Sequence, residues 1–243
     1  MTAKKNNKTM QTKQQKTVKP IVNSTTLMIN EIFYSIQGES SHAGKPCVFV
    51  RLTYCNLRCS YCDTPYAFYE GTPMSIAEIL QQVAAYRCSL VEVTGGEPLI
   101  QPGAIPLMRQ LCDAGYTVML ETGGSVSIAE VDKRVIKVVD FKCPSSGMVH
   151  KNNEENVLYL LPQDEIKFVI GNREDFDWVM AFLRRTEAHR KVNATLFSPV
   201  FGEIEPRQIV NWMLDAHLQE WIPNIRFQLQ MHKYVWAPDQ RGV

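Results

Sequence analysis

The chain contains no run of apolar residues near the length a membrane-spanning helix needs, and none near its start of the kind that heads a secretory signal. It has no excess of either charge. The 26 Lys and Arg against 25 Asp and Glu leave a formal net charge of +1, so bulk electrostatics gives no pull toward nucleic acid or another polyanion. It also lacks a disulfide framework: seven cysteines is an odd number, and three of them crowd together at 55, 59 and 62. A reducing, cytoplasmic setting suits that usage. Residues 1–26 hold no acidic side chain and no hydrophobic period, and are dominated by Lys, Thr, Gln and Asn. Such a segment buries too little apolar surface to offset its ordering entropy, so a disordered tail is expected there. The remainder, 27–243, is expected to form a single domain. The chain is 45% hydrophobic and its length matches an α/β barrel.

From Ile29 onward, strand-like and helix-like segments alternate. Short apolar, β-branched stretches predict strands at 47–53, 90–94, 116–121, 135–141, 165–170, 194–197 and 226–230. Ser75-Ile-Ala-Glu78 reads as a capping box opening a helix, and Ser127-Ile-Ala-Glu130 repeats the signature before a shorter one. Further helices are expected at 104–113, 174–184 and 206–216, with Trp178 and Trp212 on core-facing stripes. This alternation implies α/β architecture with parallel strands joined by right-handed crossovers. With so few units, an incomplete (β/α) barrel is expected. Loops beyond the C-terminal ends of such strands build the active site. Polar and glycine-rich residues recur there: the cysteine loop, Gly95-Gly96-Glu97-Pro98, Glu121-Thr-Gly-Gly-Ser125, Lys142-Cys-Pro-Ser-Ser146, Ser198-Pro-Val-Phe-Gly202 and Met231-His-Lys233.

The segment Tyr54-Cys-Asn-Leu-Arg-Cys-Ser-Tyr-Cys-Asp-Thr64 carries a C-x3-C-x2-C run directly after the strand at 47–53. Three thiolates on one loop suit three irons of a [4Fe–4S] cluster, whose full complement is four cysteines, and leave one iron open to a non-protein ligand. A zinc site completed by a further Cys or His is the alternative reading of the spacing. The remaining cysteines, Cys47, Cys88, Cys112 and Cys143, are expected to be small buried hydrophobes.

With Tyr61 just before the last cysteine, the run resembles the signature of the radical S-adenosylmethionine (SAM) superfamily, whose members share a partial barrel. The resemblance implies that SAM chelates the open iron, and that an electron from the cluster cleaves it to methionine and a 5′-deoxyadenosyl radical. Gly95-Gly96-Glu97-Pro98 resembles the superfamily's GGEP motif. Glycine lacks a Cβ and so allows a backbone to approach a ligand closely. The resemblance places the SAM ammonium at Gly95 and Gly96 with support from Glu97, and the adenine on Tyr61. Backbone contacts are implied at Cys62 and Asp63, and ribose and carboxylate contacts around Ser125, Lys142, Pro144, Ser145 and Ser198.

Four further segments narrow the resemblance. They are Asn30-Glu-Ile-Phe-Tyr-Ser-Ile-Gln-Gly-Glu39, Gly44-Lys-Pro-Cys-Val-Phe-Val-Arg51-Leu, Asp63-Thr64, and Gln230-Met-His-Lys-Tyr-Val-Trp-Ala-Pro-Asp-Gln-Arg-Gly-Val243. Together they resemble the 7-carboxy-7-deazaguanine synthase family from residue 29 onward. That family converts 6-carboxy-5,6,7,8-tetrahydropterin to 7-carboxy-7-deazaguanine with loss of ammonia, using SAM, a [4Fe–4S] cluster and Mg²⁺. The residue types suit the substrate. Arg51 offers a planar fork for a carboxylate. Gln37 and the backbone of Ile36 and Gly38 offer neutral donors and acceptors to the amide edge. Thr94 adds a hydroxyl, and His232 and Lys233 lie beyond the last strand.

The resemblance assigns Thr64 to Mg²⁺, for which a hydroxyl is a fitting hard oxygen ligand. It also implies a low-potential electron donor and a homodimer, with Trp221 and Trp236 as exposed aromatics for an interface. Nothing implies a membrane or a direct nucleic-acid partner. Tyr54 and Ser40-Ser41-His42 depart from the family pattern, which commonly has glycine there. A glycyl-radical activating enzyme shares the cysteine spacing, and a non-enzymatic zinc or redox module is the alternative from another class.

Overall fold

The computed structural model describes residues 26–243, so the tail expected over 1–26 lies, except for its last residue, outside them. The described residues form a nine-stranded sheet in the order β3-β1-β2-β4-β5-β6-β7-β8-β9. Its strands are β1 (Thr26–Ile36), β2 (Pro46–Leu52), β3 (Thr72–Ser75), β4 (Leu90–Gly95), β5 (Thr117–Thr122), β6 (Ile136–Asp140), β7 (Glu165–Ile170), β8 (Ala194–Pro199) and β9 (Ile225–Phe227). From β2 through β9 every pairing is parallel, as the alternating pattern requires. The sheet is an open, partial barrel, and all seven expected strands belong to it.

Two strands were missed, and both are antiparallel. β1 pairs with β2 on one side and with β3 on the other. In β1 only Leu27, Ile29 and Phe33 are buried, so it lacks the unbroken apolar run that marks the parallel strands. β3 carries Pro73 at the sheet's edge, where a missing N–H costs no ladder bond.

Helices α1 (Ile76–Ala85), α2 (Ala104–Asp113), α3 (Arg173–Thr186) and α4 (Pro206–Asp215) fall where their periodicity predicts. Ser75 caps α1 reciprocally: its Oγ accepts from the Glu78 N–H at 3.3 Å, while Glu78 accepts from the Ser75 N–H at 2.7 Å. The second such signature forms no helix. The Ile128 N–H donates to buried Asn156 at 3.0 Å, and the Asn156 amide donates to the carbonyls of Gly124 and Val126. That side chain holds the segment in turns, and a tertiary bond overrides a local signal. A short α5 (His232–Val235) follows β9.

The main core lies between the sheet's convex face and the helices, with Trp178 and Trp212 half-buried against it. A second, smaller cluster fills the base of the concave face, including Phe33, Phe49, Met119, Val138 and Leu196. Strand alternation then puts Glu92, Glu121, Asp140 and Lys167 one layer above it. The hairpin loop 37–45 crosses the barrel's open side. Ser41 donates to Glu165 of β7 at 3.1 Å, Ser40 donates to Gln228 at 2.8 Å, and Gly38 accepts from the Met231 N–H at 2.9 Å.

Trp221 and Trp236 are not the exposed aromatics expected. Both are half-buried, and Trp221 sits edge-on to the His189 ring at 5.4 Å. Of the cysteines outside the cluster run, Cys47 and Cys143 are buried while Cys88 and Cys112 are partly so. No helix among the described residues is long and apolar enough to cross a membrane.

His189 is buried, and neither ring nitrogen has a partner among the described residues. Burial lowers its pKa, and Arg190 lowers it further against an opposing Glu187. Below the unfolded value of about 6.5, the unfolded chain takes a proton that the folded chain resists, so stability falls with pH from there. His189→Phe keeps the edge contact and removes the titration. Urea titrations at pH 7 and 5 are expected to show a smaller acid loss for the variant than for the wild type.

Candidate active site

A cavity of about 460 Å³ opens at the C-terminal ends of the parallel strands. Cys55, Cys59 and Cys62 line one side of it, on the loop that leaves β2, and all three thiols are free. The loop's shape depends on the exit of β4. The Gly96 N–H donates to the Leu52 carbonyl at 3.1 Å and the Glu97 N–H to the Tyr54 carbonyl at 2.8 Å. A Cβ on Gly95 or Gly96 would run into the backbone of Leu52 or Tyr54. Gly95 also has φ +136°, which L side chains rarely adopt. The glycines therefore serve first to let two backbones meet beneath the cysteines. A further brace comes from Ser60, whose Oγ donates to the Ser145 carbonyl at 2.8 Å.

Opposite the thiols the floor is charged. Lys167 is buried and bonds to Glu39 at 2.9 Å, to Glu121, and to Asp140 at 3.6 Å. Burial alone would lower its pKa, but the three carboxylates outweigh it and hold the ammonium well above its ordinary value. Lys142 pairs with Asp140 at 2.9 Å. Arg51 donates through Nε to Glu31 at 2.7 Å, and its terminal fork has no hydrogen-bond partner among the described residues. Asp63 pairs with Lys233 at 2.9 Å, and that ammonium brings its carboxyl down to about 2 against the opposing effect of burial. His232 packs on Gly38, where a Cβ would collide with its ring. Burial lowers the His232 pKa, against the pull of Glu39 and Asp63.

Of the residues singled out from the sequence, the cavity gathers Ile36, Gln37, Gly38, Arg51, Tyr61, Asp63, Thr64, Thr94, Gly95, Gly96, Lys142, His232 and Lys233 with the three cysteines. Five others do not line it. Glu97 is fully buried, accepting from Leu99, Thr122 and Gly123. Ser125 bonds to Asn56 at 3.0 Å. Ser145 is taken by Asp175, Pro144 opens the short turn leading to it, and Ser198 is buried beneath the Gln228 carbonyl. Sequence reading missed Glu31, Glu39, Glu92, Glu121, Asp140 and Lys167. The signal was present: a charged residue inside an otherwise apolar strand, as in Leu90-Val-Glu-Val-Thr94 and Glu165-Ile-Lys-Phe168, marks a face that is neither plain core nor open surface.

Residues 50–216 match the Radical SAM superfamily model. The chain is 46% identical to the 7-carboxy-7-deazaguanine synthase of Chlorobaculum tepidum, over 89% of this chain and 97% of the relative. It is 42% identical to that of Koribacter versatilis, over 89% of this chain and all (100%) of the relative. The chain belongs to the 7-carboxy-7-deazaguanine synthase family of radical SAM proteins. The crystal structure of QueE from Escherichia coli has the same fold, with a TM-score of 0.65 at 21% identity, covering 85% of this chain and 95% of that one.

The residues present fit the groups that family membership implies. Three free thiols on one loop match a cluster held at three irons. The Tyr61 hydroxyl and Asp140 Oδ1 line the same cavity and are buried without partners among the described residues, which suits polar atoms that meet a ligand.

Two positions where the resemblance leads glycine to be expected are strained. Tyr54 has φ +76° and Ser40 has φ +63°, both in the left-handed region that favours glycine. Tyr54→Gly is expected to raise stability by about 0.5–1 kcal/mol, read as a higher thermal midpoint, because relief of strain exceeds the added chain entropy. Gly96→Ala is expected to cost about 1–3 kcal/mol. It should also lower the iron bound after anaerobic reconstitution, because the added methyl pushes the cysteine loop off its seat.

Proposed function

We propose that this chain converts 6-carboxy-5,6,7,8-tetrahydropterin to 7-carboxy-7-deazaguanine with release of ammonia; the names of its relatives give 7-carboxy-7-deazaguanine as what they make. The observation that carries this reading is the meeting, in one cavity, of three free thiols and a guanidinium whose fork is unclaimed. Cys55, Cys59 and Cys62 hold the cluster, with SAM against Gly95, Gly96, Tyr61 and Lys142. When bound, the cluster and SAM would supply a carbon-centred radical able to take a hydrogen atom from a C–H bond.

The chain's own work is to bind, orient and exclude. Arg51 grips the pterin carboxylate through its terminal fork while Glu31 fixes its Nε. Phe33 and Phe49, stacked at 4.9 Å, form an apolar base beneath a flat ring. His232, seated on Gly38, closes one side, and Lys233 is held off the ring by Asp63. Thr64, which lines the cavity, would offer a hard oxygen to Mg²⁺, and the ion would help orient the substrate carboxylate. Holding C6 at near-attack distance in a site shielded from other hydrogen donors is the protein's share of the rate.

Loss of ammonia involves no net oxidation, so turnover would need no net consumption of SAM. Anaerobic incubation of the reconstituted protein with a low-potential reductant, SAM and the carboxypterin is expected to give deazaguanine and ammonia in equal amounts with SAM unconsumed. Deoxyadenosine accumulating without deazaguanine would overturn the substrate assignment. Cys59→Ala is expected to abolish both the brown absorbance and the product, measured by iron content and mass spectrometry.

A further inference from the structure

Gln37 is held at both ends of its amide. Its Oε1 accepts from the Glu39 backbone N–H at 2.8 Å, and a backbone N–H can only donate, so the NH₂ group is the end that faces Glu92. The Glu92 oxygen meeting that NH₂ is therefore an acceptor.

Glu92 itself is 3% exposed, on β4 above the apolar base of the concave face, and it lines the cavity. Among the described residues it has no cation partner. The charged groups around it are committed elsewhere: Arg51 of β2 bonds to Glu31, and Lys167 of β7 bonds to Glu39 and Glu121. Glu121 of β5 and Glu39 of the hairpin loop face it with like charge, and the Cys47 thiol beside it is itself pushed up by burial and by Glu92. Burial first, then Glu121 and Glu39, raises the Glu92 carboxyl well above the carboxylate range, against Lys167 and Arg51. A buried carboxyl with only a neutral amide to bond holds its proton. One oxygen takes the Gln37 NH₂, which leaves the other to carry that proton.

We propose that Glu92 reads the lactam edge of the ring as a neutral acid. Its O–H donates to the ring carbonyl, and the second lone pair of its own carbonyl oxygen accepts from the adjacent ring N–H. An ionised carboxylate would instead accept twice, from a ring N–H and the exocyclic amino group. The inference rests on the cavity being a pterin site and adds to that reading the residue that selects a 4-oxo ring.

The two protonation states predict opposite behaviour. Gln at position 92 reproduces a neutral acid, with an oxygen for Gln37 and the ring N–H and an NH₂ for the ring carbonyl. Leu reproduces neither. With anaerobically reconstituted holoenzyme, E92L is expected to raise KM for the carboxypterin by about 10- to 100-fold, and E92Q to recover most of that loss. Wild-type KM should climb at alkaline pH as Glu92 ionises, and E92Q should lack that limb. If E92Q is as impaired as E92L, or keeps the alkaline rise, the neutral-acid assignment is wrong. Should E92L fail to fold, the comparison of wild type with E92Q across pH still decides. Wild-type protein that neither binds nor turns over the carboxypterin overturns the reading of the cavity and this inference with it. Active wild type beside a defective E92Q overturns the role of Glu92 alone.

Discussion

The active cavity must be polar enough to grip an anionic, hydrogen-bonding ring and dry enough to protect radical chemistry, and buried charge is expensive unless paired. Lys167 meets that constraint. Its ammonium sits among Glu39, Glu121 and Asp140, so one cation ties together the hairpin loop, β5 and β6 from its own place on β7. Among the described residues, no strand pairing crosses the open side of the partial barrel. Charge pairing and the loop 37–45 close it instead, through Glu39 and through the bonds from Ser40 and Ser41 to Gln228 and Glu165. The polar layer of the cavity and the integrity of the barrel thus rest on the same set of contacts.

The cysteine loop is shaped in the same indirect way. Its thiols face the cavity because the backbone leaving β4 passes directly under the backbone leaving β2, and only glycine at 95 and 96 permits that approach. Glu97, expected to touch a ligand, is consumed behind the wall by Leu99, Thr122 and Gly123. It caps the turn that follows and fixes the start of the β5 loop. Ser145 likewise braces Ser60 on the cysteine loop while Asp175 holds it from α3. A motif near a cofactor site can thus act through backbone geometry alone.

Family membership carries the chemistry only as far as matching residues allow, and the departures are informative. Tyr54 and Ser40 stand in left-handed backbone at two bends that flank the cavity. The fold keeps these bends without glycine because their neighbours are pinned: Tyr54 by the N–H of Glu97 and Ser40 by Gln228. Local strain of this size persists when surrounding bonds over-determine the conformation.

The amino-acid pattern by itself determined the parallel strands, four helices and the cysteine run, because unbroken apolar stretches, 3.6-residue periodicity and close ligand spacing are local properties of a chain. Arg51, Thr64 and Thr94 became candidates through the family resemblance that the segments around them carry. Only the tertiary structure decided the rest. β1 and β3 form because partners far along the chain offer an edge, and 127–130 is not a helix because buried Asn156 claims its neighbourhood. Glu39, Glu92, Glu121 and Lys167 are scattered along the sequence from 39 to 167, and their meaning comes from desolvation together in one concave face. A charge inside an apolar strand marks such a residue in the sequence, but which charges meet and how they pair is a sum over distant neighbours that no single window contains.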